Sequence, residues 1–227
     1  MYASAVAASP QWPKTRPWQH LSLAAGWRSL WASLQPVAPG TTGHAYLRGR
    51  GCALPPADGD LRCTESLRHP SGYVGPALVG LVTDAFTREP LTLHRTWITS
   101  DGRKAHVDPP RLLLGKHRKI GGVIRLWPDD TVSAGLAIAE GIESALATAT
   151  VYRPAWSAVD AGNLAALPVL PGIDELLVMA DHDDAGICAA WKCARRWHRA
   201  GCHVRVAIPP NVGTDAADLV PKAKCIW

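Results

Sequence analysis

The 227 residues are chain enough for one large domain or two compact lobes, and 47% hydrophobic against 19% charged residues is a globular balance. No apolar run approaches the roughly 18 residues a membrane span needs, and the N-terminal MYASAVAASPQWPKTRPWQHL lacks the basic start and sustained apolar core of a secretory signal, so a cytoplasmic protein without a membrane partner is expected. The net charge of +5 is uneven: residues 1–130 carry 16 Lys/Arg against 9 Asp/Glu, whereas residues 131–227 carry 8 against 10. A basic half suits a polyanion such as nucleic acid, and an acidic half with clustered carboxylates suits a divalent cation.

In chain order, PWQHLSLAAGWRSLWASLQP places Leu23, Trp27, Leu30, Trp31 and Leu34 near helical spacing before Pro36 and predicts a helix that packs its tryptophans onto the next lobe or, less commonly for buried tryptophans, onto a partner. Residues 41–127 alternate short apolar runs (PALVGLVTD, LTLHRTWIT) with turn signals (TREP, SDGR) and predict a small sheet-rich lobe. From Leu136 the rhythm changes to strand, helix, strand, helix. GLAIAEG, AWSAV, DELLVMAD and HVRVAIPP read as strands; IESALATATVY, NLAAL and AGICAAWKCARRWHRA, closed by Gly201, read as helices. Fully apolar strands alternating with helices indicate a parallel sheet covered on both faces, whose chemistry gathers at the carboxyl ends of the strands. Cysteines 52, 63, 188, 193, 202 and 225 never form C-x-x-C, so zinc is not expected and buried reduced thiols are. No phosphate-loop motif of an attached motor ATPase occurs.

The stretch VMADHDDAGICAA sets Asp181, Asp183 and Asp184 at the end of a strand, ahead of a helix. One acid would serve as a helix cap; three within four positions exceed that need, and like charges held close require a proton or a hard cation between them. Glu140 ends a different predicted strand, 41 residues upstream, and a third acidic element, GTDAADLV, carries Asp215 and Asp218.

In that order, AEGIESALA, MADHDDAGICAA and GTDAADLV resemble the three motifs of the Toprim domain shared by bacterial primases, topoisomerases and certain nucleases, with the D-x-D-x-A-G signature reading Asp181, His182, Asp183, Asp184, Ala185, Gly186. The resemblance implies an α/β fold: a Rossmann-like, mostly parallel sheet flanked by helices, preceded by a smaller basic α+β lobe. It implies a Mg²⁺ (or Mn²⁺) site on Glu140, Asp181, Asp183 and Asp218, with Glu140, Asp181 and Asp183 catalytic. Upstream, YLRGRGC, the 77–109 stretch with HRTW and GRKA, and GGVIRL are similar to the N-terminal lobe of primase catalytic cores, especially those of phages, plasmids and integrated elements. That similarity implies phosphate-binding roles for Arg95 and Lys104, across a cleft from the metal.

The run RLLLGKHRKIGGVIR, with five Lys/Arg and no acid, adds Lys116, Arg118 and Lys119 as candidate nucleic-acid contacts; Trp97 and Trp127 are candidates for base stacking or, more ordinarily for tryptophan, for the core. The expected boundaries are an N-terminal helical segment (1–40), the basic lobe (41–130) and the Toprim domain (131–227). The expected activity is DNA-templated RNA primer synthesis, with single-stranded DNA, ribonucleoside triphosphates and a separate helicase as partners. A Toprim nuclease and a non-catalytic nucleic-acid-binding module are the alternatives. The acid that primases place four residues after the Toprim glutamate is Ser144 here, with Glu143 one position earlier.

Overall fold

The computed structural model describes residues 25–115 and 119–220. Helix α1 (Ala25–Ser33) leads into a short strand β1 (Gln35–Pro36), and α2 (Thr42–Gly49) follows, capped by the Thr41 hydroxyl, which accepts from the His44 N–H. An antiparallel sheet then forms from β2 (Leu61–Arg68), β3 (Val74–Asp84), β4 (Pro90–Trp97), β5 (Arg111–Leu113) and β6 (Gly122–Val123). Its order is β1-β2-β3-β4-β5, with β6 pairing with β3.

The second lobe alternates as its apolar runs predict: β7 (Gly135–Ala139), α3 (Ile142–Thr148), β8 (Ala155–Ser157), α4 (Ala161–Ala166), β9 (Glu175–Met179), α5 (Asp184–Arg199), β10 (His203–Ala207) and α6 (Ala216–Leu219). The four strands are all parallel in the order β10-β9-β7-β8, so β7 and β9 lie side by side with Ala139 opposite Met179. This is the mixed α/β architecture expected, an antiparallel lobe ahead of a parallel sheet.

Strand parity decides what each face meets, since successive side chains point to opposite sides. On the parallel sheet, Leu136, Ile138, Leu176 and Val178 pack with Ala189, Ala190, Cys193 and Trp197 of α5. The opposite face carries Ala137, Ala139 and Met179 and packs against Ile142, Ala145 and Leu146 of α3 together with Leu61, Leu78, Val82 and Ile124 of the first lobe. The two lobes therefore share one core. On the first sheet, Leu78 and Val82 face that shared core, while Val79, Leu81 and Leu93 face the other way and are covered by Trp27 and Trp31 of α1.

A buried arginine fastens the junction. Arg125, 1% exposed, donates from Nε to Asp129 Oδ1 at 2.7 Å, from Nη1 to the Thr83 hydroxyl and from Nη2 to the Ala85 carbonyl at 3.0 Å. Its guanidinium lies over the Trp156 ring on β8, 4.7 Å from the centroid. Asp129 is also paired with Arg88 Nη2 at 2.6 Å.

Candidate active site

The three acidic elements end at one edge of the parallel sheet. Register fixes the first two: β7 stops at Ala139 beside Met179 of β9, so the next residues along, Glu140 and then Asp181, leave neighbouring strands at the same edge. His182 ties in the third. Its N–H donates to the Thr214 carbonyl at 2.9 Å, its carbonyl accepts from the Gly213 N–H at 2.8 Å, and its ring Nδ1 sits 2.6 Å from the Pro209 carbonyl, so the loop carrying Asp215 is held against the Asp181–Asp183 turn.

Gly186 has a steric reason. A Cβ there would stand 2.6 Å from the Asp181 carbonyl oxygen, so only glycine lets the first turn of α5 close onto the end of β9. Ser144 on α3 donates its hydroxyl to Asp181 Oδ1 at 3.2 Å.

The electrostatics are those of carboxylates gathered without a counter-ion. Glu140 is pushed up to about 7, first by burial and then by Asp181, Asp183 and Asp160, with the Ala161 backbone N–H of α4 pulling the other way. Asp181 is also raised, by burial, Asp215 and Asp183, against the Ser144 hydroxyl and Arg111. Among the described residues no Lys, Arg or His forms a salt bridge with Glu140, Asp181 or Asp183.

This donor set fits a hard divalent cation: all oxygen, partly buried, negative and uncompensated. Among the described residues no three Asp, Glu, His or Cys side chains are already closed into a cage. Asp183 is the N-cap of α5, one oxygen accepting from the Gly186 N–H at 2.7 Å, which leaves its second oxygen for a cation.

The first lobe brings cations to the same edge. Pairing of β4 with β5 sets Arg111 opposite Thr96, on the face shared with His94 and Leu78. Arg111 Nη1 lies 4.0 Å from where a Cβ on Gly141 would stand, and its charge bears on both Asp181 and Glu143. Glu143, 5% exposed on α3, is the meeting point of the lobes: the Tyr46 hydroxyl of α2 donates to its Oε1 at 2.8 Å and Lys104 Nζ stands 3.8 Å from the same oxygen. Burial works to raise Glu143, but Lys104, Arg111 and the Tyr46 hydroxyl together hold it below the usual carboxylate range. His94, on the same face, is pushed by burial down to about 4, against the pull of Glu143, and is neutral.

The other sequence-predicted residues separate. Lys104 reaches the inter-lobe face, as described. Arg95 does not: strand parity turns it to the opposite face of the sheet, where its guanidinium lies 5.1 Å from the Trp97 ring centroid and donates to the Leu113 carbonyl at 3.0 Å. The expectation that it faces the acids across a cleft is corrected; Arg111, one strand over and of the other parity, occupies that place. Lys119 pairs with Asp160 at 2.7 Å, at the N-terminus of α4 beside Glu140. Lys116 and Arg118 lie outside the described residues.

Asp218 points back to the Asp215 N–H, 3.2 Å, in a capping box at the start of α6, and Asp215 is the acid of that element whose charge raises Asp181. Trp97 and Trp127 are buried, 0% and 8% exposed, and serve the core. Arg125, read in the sequence as part of a positive surface, is interior. Sequence reasoning passed over Arg111, Tyr46 and the role of Glu143. The signals were faint: an arginine at the head of an apolar triplet, and a tyrosine in YL..RG.

Two family models match the chain, a domain of unknown function (DUF7146) over residues 22–126 and the Toprim domain over residues 135–223. A comparison with curated proteins returned no match in sequence. Among solved structures, the DnaG catalytic core superimposes with a TM-score of 0.54 at 16% identity, over 87% of this chain and 74% of that one. The Aquifex aeolicus primase (zinc-binding and RNA polymerase domains) gives 0.51 at 14%, over 82% and 53%. A DNA primase domain from Pseudomonas aeruginosa gives 0.43 at 16%, over 69% and 51%. The chain thus spans about half the length of the latter two. Likeness at this identity speaks to the fold, and it agrees with the order of lobes and strands above. Residues 135–223 match the Toprim domain, and the chain has the fold of primase catalytic cores.

Proposed function

We propose that this protein is the catalytic core of a DNA primase of the phage, plasmid or mobile-element type, a nucleotidyltransferase that makes RNA primers on single-stranded DNA from ribonucleoside triphosphates. The observation that carries the reading is the opposition of charge at one edge: Glu140, Asp181 and Asp183 without a salt-bridge partner, Arg111 of the other lobe acting on Asp181, and Lys104 held nearby on Glu143.

Asp181 and Asp183, with Glu140, would hold Mg²⁺ or Mn²⁺, which supplies charge neutralisation to the phosphates of the incoming nucleotide. Ser144 fixes the rotamer of Asp181, and Gly186 lets the helix carrying Asp183 approach it. Arg111 meets nucleotide phosphates at the mouth of the site, and Lys104, held by Glu143, adds a second positive charge behind it. In the reaction the 3′-hydroxyl oxygen of the growing strand forms a bond to the α-phosphorus, the bond to pyrophosphate breaks, and the hydroxyl proton leaves. Glu140 would serve either as a ligand to that cation or as the base that receives this proton. A helicase would act as a separate partner.

The test is Mg²⁺-dependent dinucleotide and primer synthesis on single-stranded DNA by the unaltered chain and by Asp181→Asn and Arg111→Ala. Both variants are expected to lose at least a hundredfold in rate with melting curves retained. Cleavage of the DNA in the absence of ribonucleotides would replace the reading with a nuclease. Binding of DNA with neither reaction, and no effect of Asp181→Asn on Mg²⁺ binding, would replace it with a non-catalytic binding module.

A further inference from the structure

The acidic half of the chain concentrates its positive charge in one place. Four of the eight Lys/Arg between residues 131 and 227 are Lys192, Arg195, Arg196 and Arg199, all on α5. The helix buries Ala189, Ala190, Cys193 and Trp197 against the sheet and turns these four outward, where they line a recess of about 430 Å³. Arg196 is committed to the fold: its Nη1 donates to the Ala165 and Leu167 carbonyls at 2.7 and 3.0 Å, closing the C-terminal end of α4. For Lys192, Arg195 and Arg199 no hydrogen bond or ion pair is made among the described residues. Three unpaired cations on consecutive turns, spanning roughly 10 Å of helix, form a row of positive charge with no acid answering it.

Beside the row stands Trp191, 47% exposed, although the other described tryptophans are buried. On a helical wheel it flanks Arg195 and shares the solvent side with Arg199. A large indole left in water next to unpaired cations matches the makeup of single-stranded nucleic-acid sites, where cations follow the backbone and an aromatic face stacks a base. The row and the site share one helix. α5 begins at Asp184, immediately after Asp183, so Lys192 lies about 12 Å along the helix from the catalytic edge.

We propose that the outer face of α5 is a single-stranded DNA track on which Lys192, Arg195 and Arg199 contact successive phosphates and Trp191 stacks a base, delivering template to the acidic edge. The delivery rests on the primase reading; the binding does not.

The experiment measures fluorescence anisotropy of a labelled 20-nucleotide single strand against salt concentration, for the full chain and for the triple variant K192E/R195E/R199E, which leaves Arg196 in place. Losing three phosphate contacts is expected to flatten the log–log salt slope by about 2, and Trp191→Ala alone to weaken binding on the order of tenfold. The unaltered chain, irradiated with a 5-bromouracil-substituted strand, is expected to crosslink within residues 184–199, a result independent of whether any variant folds. An unchanged salt slope in a folded triple variant, or crosslinks confined to the first lobe, would overturn the proposal. So would equal competition by duplex DNA, which offers no base to Trp191. A chain that binds and crosslinks through α5 yet makes no primer would leave this track standing and remove the primase reading instead.

Discussion

At Glu140 the needs of the fold and of the site pull in opposite directions. Burial beside Asp181 and Asp183 pushes this carboxyl from 4.5 to about 7, so the folded chain prefers it protonated more than the unfolded chain does. A raised acid pKa contributes stability that is complete below the unfolded value and is lost as pH rises toward the folded one, here across pH 4.5 to 7. Glu140→Gln keeps the shape and removes the charge. In a chelator at pH 8 it is expected to raise the melting temperature by a few degrees, reflecting on the order of 1 kcal/mol once solvent screening is allowed for. At pH 5 the two proteins should melt close together. Mg²⁺ should stabilise the parent more than the variant, and primer synthesis should fall. Identical pH profiles of melting for parent and variant would mean that Glu140 does not face the other two acids. The aspartates and this glutamate were legible in the sequence because each follows a strongly apolar strand. The orientation of the basic residues was not, because a strand's pattern says which residues share a face and not which face meets the partner lobe. Arg95 and Arg111 illustrate it: both lie in short strands of the same sheet, and only the β4–β5 register shows them on opposite sides.

Helix α5 performs two tasks with one residue, and a pair of substitutions separates them. Asp183 caps its N-terminus and also belongs to the acidic set. Asparagine caps about as well as aspartate, whereas alanine gives up the cap at a cost of about 1 kcal/mol. Asp183→Asn is therefore expected to unfold in urea almost as the parent does while losing Mg²⁺-dependent synthesis. Asp183→Ala should lose both, with its stability lower by about 1 kcal/mol. If Asp183→Asn retains full synthesis, the residue is a cap and nothing more. In GTDAADLV the capping was unreadable until the backbone N–H groups were seen: Asp215 accepts from those of Ala217 and Asp218, and Asp218 from that of Asp215, so both acids belong to the cap. The long helices and apolar strands of residues 135–207 were legible as elements because their periodicity persists. The two-residue strands β1 and β6 carry no period and appear only through their partners.

At the scale of the molecule, the two lobes are one thermodynamic body. Leu61, Leu78, Val82 and Ile124 of the first pack in the same core as Ala137, Ala145, Leu146 and Met179 of the second, with Tyr46 and Leu47 of α2 in it as well. Composition shifts near residue 130 mark where the secondary-structure rhythm changes, and they are blind to this sharing, since a core is a property of faces and not of segments. Arg125 reinforces the junction from within: its guanidinium joins Thr83, Ala85 and Asp129 to the Trp156 ring, and its removal strands the buried Asp129 carboxylate with Arg88 as its remaining partner. Breaking a buried ion pair by deleting one member costs about 3–5 kcal/mol. Calorimetry of the full chain is therefore expected to give one transition, with calorimetric and van't Hoff enthalpies equal. Arg125→Met should move that single transition down by roughly 6–20 °C without splitting it, because the lobes it fastens cannot stay folded apart. Two resolved transitions in either protein would mean that each lobe holds its own core, and that the charge opposition at the acidic edge depends on a docking equilibrium instead of on the fold.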